Sequence, residues 1–488
     1  MTLSAAEEAK LRGNTALKEH RFDDAIEHYT QAIELDPSNA IFYANRAQAE
    51  IKLEQYGAAI TDCTLSVEKD PSYVKAFYRR AVAKSSILQH KDALKDLDIV
   101  LKLKPNDSAS VKLQSELKRM VRRLAFEKAI QDDDADAELF AVATVRDVNM
   151  EADYKGPSLD IQVNGDNITL DGLNIEWVMS LIEHFKQGGK LAKRYLYALI
   201  IKMDELLSKE PAFKELSQTE LNTETFTVVG DVHGQFYDLL NMFKLNGYPS
   251  LKHGYLFNGD FVDRGSWSCE VMITLMCFKL LYPTTMHLNR GNHETSDMNK
   301  MYGFEDEVKH KYGEKAHRMF QKMFVSLPLM TMINKDYLVM HGGLFSKPDV
   351  TLDELRNNVV KRTNPKDGFE MELLWTDPQP ENGYGPSKRG IGVQFGPDIT
   401  ERFCSLNGLK GVIRSHEVRM GGYSVEHDGK CITVFSAPNY CDSTGNEGAV
   451  INMTYKEETG TELEFKKLRA VEHPPMKPMA YTSMGSHF

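Results

Sequence analysis

Six short stretches carry side chains that bind hard or borderline cations: Gly230-Asp231-Val232-His233-Gly234, Gly259-Asp260-Phe261-Val262-Asp263-Arg264-Gly265, Arg290-Gly291-Asn292-His293-Glu294, His341-Gly342-Gly343, Arg414-Ser415-His416-Glu417 and Ser436-Ala437-Pro438-Asn439-Tyr440-Cys441. Asp231, Asp260, Asn292, His233, His341 and His416 together offer oxygen and imidazole and no thiolate, a set suited to two divalent ions rather than one structural zinc. Asp231 and His233, two apart on one turn, can chelate one ion. Asp260 can bridge, because two ions held ~3.5–4 Å apart need a shared anion. Asn292, His341 and His416 complete the second ion. Such a pair lowers the pKa of a shared water toward roughly 7 and so makes a hydroxide for in-line attack on phosphorus. His293, next to Asn292, is free to protonate the leaving alkoxide as general acid, and Asp263 can hold its imidazolium. Arg264 adds a planar fork for phosphate oxygens.

These residues need elements to gather them. Five of the six stretches follow apolar runs (FTVV, YLF, TMHLN, YLVM, GVI) that read as buried strands. Strands delivering Asp, Asn and His at their C-terminal tips line one edge of a sheet, where open α/β sheets build their sites. Strand and helix patterns alternate from about 225 to 470, with further segments (LDIQV, IEWVMSLIEHF, AKRYLYALIIKMDELL) over 158–220. We expect a catalytic α/β domain over 171–473 and a tail over 474–488.

The first hundred residues repeat. Pro37, Pro71 and Pro105 lie 34 apart; Ala25, Ala59 and Ala93 stand twelve before them, Tyr29, Cys63 and Leu97 eight before, and Ala32, Ser66 and Val100 five before. Small and large apolar residues at fixed offsets in a 34-residue period resemble three tetratricopeptide repeats over 1–107. Gly13 supplies the glycine of the first helix once; Ala47 and Ala81 take its place later. A capping amphipathic helix near 108–130 and an acidic linker (Asp132, Asp133, Asp134, Asp136, Glu138) fill 108–170. The cluster Lys118, Arg119, Arg122 and Arg123 reads as a solvated helix face.

A net charge of −11 over 488 residues argues against a nucleic-acid binder. Six irregularly spaced cysteines without Cys-x-x-Cys fit a reducing compartment, and none is followed six positions later by arginine, so the cysteine-nucleophile phosphatase loop is missing. The polar N-terminus has no signal-like apolar stretch, and no run approaches the ~18–20 residues of a membrane span. We expect a protein not integral to membranes, cytoplasmic with a nuclear fraction.

GDVHG, GDFVDRG, RGNHE, HGG, LLWTDP (Leu373 to Pro378), RSHE and SAPNYC resemble the metal-dependent protein serine/threonine phosphatases. With repeats in front and Lys477-Pro478-Met479-Ala480-Tyr481 near the end, the chain is similar to the type five branch of that family. The resemblance implies an all-α tetratricopeptide solenoid followed by an α/β metallophosphoesterase domain, a central β-sandwich flanked by helices. It implies two ions of Mn, Fe or Zn type, with manganese serving in vitro, and phosphoserine and phosphothreonine proteins as substrates. Its metal ligands fall on Asp231, His233, Asp260, Asn292, His341 and His416, its acid and partner on His293 and Asp263. Its phosphate-holding groups fall on Arg264, Asn292, Arg389 and Tyr440; the last two follow only from the resemblance.

The groove of a three-repeat solenoid would carry Lys10 and Asn14, then Asn45 and Lys52, then Lys75 and Arg79. Cations and amides converging there suit peptide C-terminal carboxylates. They resemble the clamp that holds the acidic tail of cytosolic heat-shock chaperones, with Lys52 where arginine is usual. The resemblance also implies autoinhibition relieved by a chaperone tail or a fatty acid, with Glu54 as the inhibitory carboxylate. After Tyr481 the chain ends TSMGSHF instead of a leucine-rich turn, so a weaker latch is expected. Two other readings are an adaptor with an inert phosphatase domain and a phosphodiesterase or nucleotide phosphatase; the complete ligand set opposes the first, and LLWTDP and SAPNYC the second.

Overall fold

The computed structural model describes residues 3–129, 138–165 and 167–482, so Asp132, Asp133, Asp134, Asp136 and the closing residues 483–488 lie outside it. It divides into two compact units, one drawn from Met1–Gln131 and Gly385–Gln394, the other from Asp132–Tyr384 and Phe395–Thr482.

The first unit stacks helix pairs: α1 (Ala5–Lys18) with α2 (Phe22–Leu35), α3 (Ala40–Lys52) with α4 (Tyr56–Lys69), α5 (Val74–Ser86) with α6 (His90–Leu103), and then α7 (Ser108–Ala129). The residues at fixed offsets, Ala25, Ala59, Ala93, Tyr29, Cys63, Leu97, Ala32, Ser66 and Val100, are all fully buried. A Cβ on Gly13 would come within 2.6 Å of the Tyr29 ring. In the later repeats, Cys63 and Leu97 hold the register position of Tyr29, and alanine replaces the glycine. The period also writes a polar network. Arg46 pairs with Asp62 at 2.7 Å and donates to Thr30, and one period on Arg80 pairs with Asp96 at 2.7 Å and donates to Thr64, each partner shifted by 34 residues. In the same unit, the N–H of Ala58 donates to the carbonyl of Lys388 at 2.9 Å.

Among the described residues, the two large sheets of the second unit hold eleven strands. They are β1 (Phe213–Leu216), β2 (Thr225–Val229), β3 (His253–Asn258), β4 (Met286–Asn289), β5 (Met330–Ile333), β6 (Tyr337–Met340), β7 (Gly411–Arg414), β8 (Tyr423–Glu426), β9 (Cys431–Val434), β10 (Gly448–Lys456) and β11 (Gly460–Leu468). One sheet runs β11-β10-β2-β3-β4, with β2, β3 and β4 parallel; the other runs β8-β9-β7-β6-β5-β1, with β9, β7 and β6 parallel. Alternation along the strands sorts the core. Phe226, Val228 and Leu256 of the first sheet meet Val339, Ile413, Ile432 and Val434 of the second in one cluster. Val229, Tyr255 and Phe257 point the other way, onto helices Lys193–Leu207 and Ser268–Leu281. The outer face of the second sheet, with Met330, Leu338 and Val412, packs on Leu373, Leu374 and Phe403. The result is a two-sheet sandwich under helices. The segments at 138–146, Ile175–Lys186 and Lys193–Leu207 join this unit's core through Leu139, Val145, Leu181 and Leu196. No helix among the described residues is long and apolar enough to cross a membrane.

Candidate metal and phosphate site

The parallel strands bring their C-terminal ends to one rim. Asp231 follows β2 and forms an isolated parallel bridge with Phe435, which follows β9, so the two sheets meet there. Inside the rim, Asn258 at the end of β3 donates to the Met340 carbonyl of β6 at 2.7 Å and to Ser415 Oγ at 2.9 Å. Asn289 at the end of β4 donates to Asn258 and to the Val339 carbonyl. These buried amides tie the loops of one sheet to those of the other.

Around the rim the candidate ligand atoms converge. His233, Asp260 and His293 offer atoms all within 4.8 Å of one another, and so do Asp260, His341 and His416. Asp260 belongs to both triads: His233 Nε2 lies 3.4 Å and His341 Nε2 3.3 Å from its Oδ2. Asp231 stands beside them, 3.8 Å from His233 Nε2 and 3.9 Å from His341 Nδ1, and accepts the His416 N–H at 3.1 Å. His233 Nδ1 faces the Val262 carbonyl at 3.0 Å and His341 Nδ1 that of Asn258 at 2.8 Å, which turns each Nε2 lone pair toward the cluster. The amide of Asn292 directs one terminal atom to a point 2.9 Å from His341 Nε2 and 3.2 Å from His416 Nδ1 and both Asp260 oxygens. An amide oxygen set among so many acceptors is a good cation ligand. The donor set therefore fits divalent ions. All six residues are buried.

Burial drives these groups toward neutral forms. It pushes the Asp231 carboxyl up to about 7 against the pull of His341, and it carries His233 well below and His341 below the usual imidazole range. Divalent ions held by these residues would favour the carboxylate anions and the already neutral imidazoles, so metal binding and deprotonation would go together.

The two residues expected to act as acid and partner are in contact: His293 Nδ1 lies 2.8 Å from Asp263 Oδ2. Asp263 is held by the Asn299 amide at 2.9 Å and by the Phe304 N–H, at the start of a helix, at 2.9 Å. Arg264 lays its guanidinium 3.8 Å from the centre of the Tyr302 ring, and its N–H donates to the Tyr302 carbonyl. The Tyr440 ring lies 5.2 Å from that of His233. Arg389 is half-buried in the segment Gly385–Gln394, which groups with the helical unit, so the cluster around Asp260 is complete in the second unit without it.

The loops hold their shape at a cost. His233, Asp260, Asp263, Arg264, His416, Asn439 and Cys441 all have positive φ, between 42° and 72°. Such backbone is sparsely populated for non-glycine residues and gathers at functional sites when surroundings over-determine it. Part of that support comes from Glu294. Its carboxylate accepts the N–H groups of Asp260, Phe261 and Gly291, each at 2.8 Å. A Cβ on Gly291 would lie 2.2 Å from Asp260 Oδ1, so only glycine passes there. The motif arginines are also structural. Arg290 donates to the carbonyls of Glu294, Arg362 and Thr363, and Arg414 to those of Gly342 and Thr376 and to Asp377. Trp375 sets its ring 5.6 Å from that of His416. Sequence reasoning missed Glu294, although its place next to His293 in RGNHE was visible.

In the first unit, the expected clamp residues Asn14, Asn45 and Arg79 form a chain across α1, α3 and α5. Asn45 donates to Asn14 Oδ1 at 3.4 Å, and Arg79 donates to Asn45 Oδ1 at 3.2 Å and to the Ala44 carbonyl at 2.7 Å. Lys10 bonds Glu7 one turn away; Lys52 and Lys75 are exposed. Glu54 sits half-buried in the turn after α3 with φ of 60°.

A family model described as calcineurin-like phosphoesterase matches residues 224–420, one described as PPP5 TPR repeat region matches 114–215, and one described as tetratricopeptide repeat matches 10–74. The chain is similar to serine/threonine-protein phosphatase T of Schizosaccharomyces pombe, 53% identical over 478 residues and 98% of each chain. It is also similar to human serine/threonine-protein phosphatase 5, 45% identical over 99% of this chain and 94% of that one. A solved Saccharomyces cerevisiae protein serine/threonine phosphatase, described as similar to human phosphatase PP5, is 51% identical with a TM-score of 0.60, covering 63% of this chain and 100% of its own. With motifs, fold and relatives in agreement along nearly its whole length, the chain belongs to the type five family of metal-dependent protein serine/threonine phosphatases and is an enzyme of that class.

Proposed function

We propose that the chain removes phosphate from phosphoserine and phosphothreonine in proteins at the rim around Asp260. The observation that carries this reading is the pair of ligand triads sharing one carboxylate, with the His293–Asp263 pair beside them. Asp231, His233, Asp260, Asn292, His341 and His416 would hold two divalent ions of Mn, Fe or Zn type, which supply an activated water and neutralise phosphoryl charge. Arg264, Asn292, Arg389 and Tyr440 orient the phosphate oxygens. Asp263 fixes the His293 ring and favours its protonated form, so that His293 gives a proton to the departing seryl or threonyl oxygen. The surrounding burial excludes bulk water and strengthens each of these contacts.

The repeats take the acidic C-terminal tail of a cytosolic heat-shock chaperone, a reading supported by the chain of Asn14, Asn45 and Arg79 across three helices. Lys10, Lys52 and Lys75 complete the clamp. The repeats also restrain the catalytic domain through Glu54, and a chaperone tail or a fatty acid releases it. The protein works in the cytoplasm with a nuclear fraction, in keeping with six cysteines that are all free thiols.

The deciding experiment measures manganese-supported hydrolysis of a phosphoserine peptide and of a dinucleotide, alongside metal analysis of the purified protein. Two ions per chain and a strong preference for the phosphopeptide are expected. One ion, or faster dinucleotide cleavage, contradicts the proposal.

A further inference from the structure

The tail segment Lys477-Pro478-Met479-Ala480-Tyr481 is bonded to the loop that carries Arg264. The Met479 N–H donates to the Arg264 carbonyl at 2.8 Å. Two residues on, Ser266 Oγ donates to the Lys477 carbonyl at 2.6 Å and accepts the Ala480 N–H at 3.0 Å. Ser266 and Met479 are both buried. Beyond them the Tyr481 ring lies 5.2 Å from Lys311 Nζ, and that buried ammonium is paired with Glu270 and Glu307. The last residues of a domain stay ordered only where such bonds tie them down.

What the tail holds is a strained piece of backbone. Asp263 and Arg264 stand side by side with φ of 70° and 68°. Non-glycine residues keep that conformation only when their surroundings impose it. Arg264 offers two backbone groups for the purpose. Its N–H donates to the Tyr302 carbonyl at 3.0 Å, and its carbonyl takes the Met479 N–H. Met479 also lies against Gly303, next to Tyr302, so the tail touches both partners of the contact between Arg264 and Tyr302. That contact aims the arginine. The guanidinium is 3.8 Å from the centre of the Tyr302 ring, and the same ring lies 5.1 Å from that of His293. We propose that residues 477–480 form a strap that positions Arg264 toward a phosphate oxygen, with Ser266 as the positioning residue that fastens it. This rests on the reading of Arg264 as a phosphate-holding group. A displacement of about 1 Å at a guanidinium is enough to weaken a charge-assisted bond to phosphate.

The test uses the full chain with manganese, para-nitrophenyl phosphate as substrate and inorganic phosphate as competitive inhibitor. Ser266→Ala removes the hydroxyl and keeps the backbone. KM and the phosphate Ki should both rise about 3- to 10-fold, the range for one lost hydrogen bond, with metal content as in the wild type. A second background reads whether the effect passes through the arginine. Arg264→Ala should raise Ki by itself, and adding Ser266→Ala to it should change Ki by less than about twofold. If Ser266→Ala does not accumulate as folded protein, the chain ending at Met476 takes its place with the same expectations. A wild-type Ki in Ser266→Ala, or a rise of equal size without Arg264, overturns the strap and leaves the phosphate reading of Arg264 intact. A fall in Ki also overturns it, since the tail would then only obstruct the site. An unchanged Ki in Arg264→Ala overturns the phosphate reading of Arg264 and the strap with it.

Discussion

Asp263 shows how one side chain can serve another. One of its oxygens faces His293 Nδ1 and the Asn299 amide, the other takes the Phe304 N–H, and burial pushes its carboxyl up to about 7. Asp263→Asn keeps the shape and loses the charge that favours the His293 imidazolium. Turnover on a phosphoserine peptide should fall about 10²- to 10⁴-fold with metal content unchanged, as for loss of general-acid help. His293→Ala should fall by a similar factor and also retain its metal; loss of metal there would reassign His293 as a ligand, which its place in one triad makes a pointed question. Glu294 acts on geometry alone. Glu294→Gln sets an NH₂ against backbone N–H donors, at a cost of about 1–3 kcal/mol per buried group left unsatisfied. A lower denaturation midpoint and reduced metal occupancy are expected, and wild-type values for both would remove Glu294 from the scaffold.

At the scale of elements, the strand ends do most of the positioning. Asn258 and Asn289 spend their amides on carbonyls of the opposite sheet, which fixes how the β3 and β4 loops face those after β6 and β7. One element carries its own pH signature. His253 opens β3, stacks on Tyr255 at 4.5 Å and stands 2.8 Å from Thr227 Oγ1 of β2; burial holds its ring down at about 4. The unfolded chain, with an imidazole near its ordinary 6.5, takes up the proton first as pH falls. Stability that is complete above about 6.5 should therefore be lost progressively toward pH 4. Thermal midpoints measured across that window should fall less steeply in His253→Gln, and identical slopes would assign the loss to other groups.

For the whole molecule, two units in one chain make regulation the natural question. Removal of residues 1–131, which spares the segment 138–146 packed in the catalytic unit's core, should raise turnover on a peptide substrate if the repeats restrain catalysis, and unchanged turnover refutes that restraint. The repeats were legible in the sequence because a 34-residue period fixes which side chains face inward, and Tyr29, Cys63 and Leu97 are buried as that period requires. The relay of Arg46 and Arg80 to Asp62 and Asp96 obeys the same period but was unread, since charged residues in helices carry no signature of burial. The cluster around Asp260 was legible for a related reason: Asp, Asn and His at the ends of apolar runs have few other uses in a buried loop.

Local chemistry along the chain was enough to pick out the Asp, Asn and His side chains that gather around Asp260 and to read the repeat architecture, because residue type and spacing constrain each of these directly. The convergence of six loops did not lie in any one segment. It came from two sheets whose parallel strands end at a common rim and from left-handed backbone at His233, Asp260 and His416 held by distant hydrogen bonds. Contacts between residues hundreds of positions apart depend on which faces pack, and packing is settled only when the whole chain has folded.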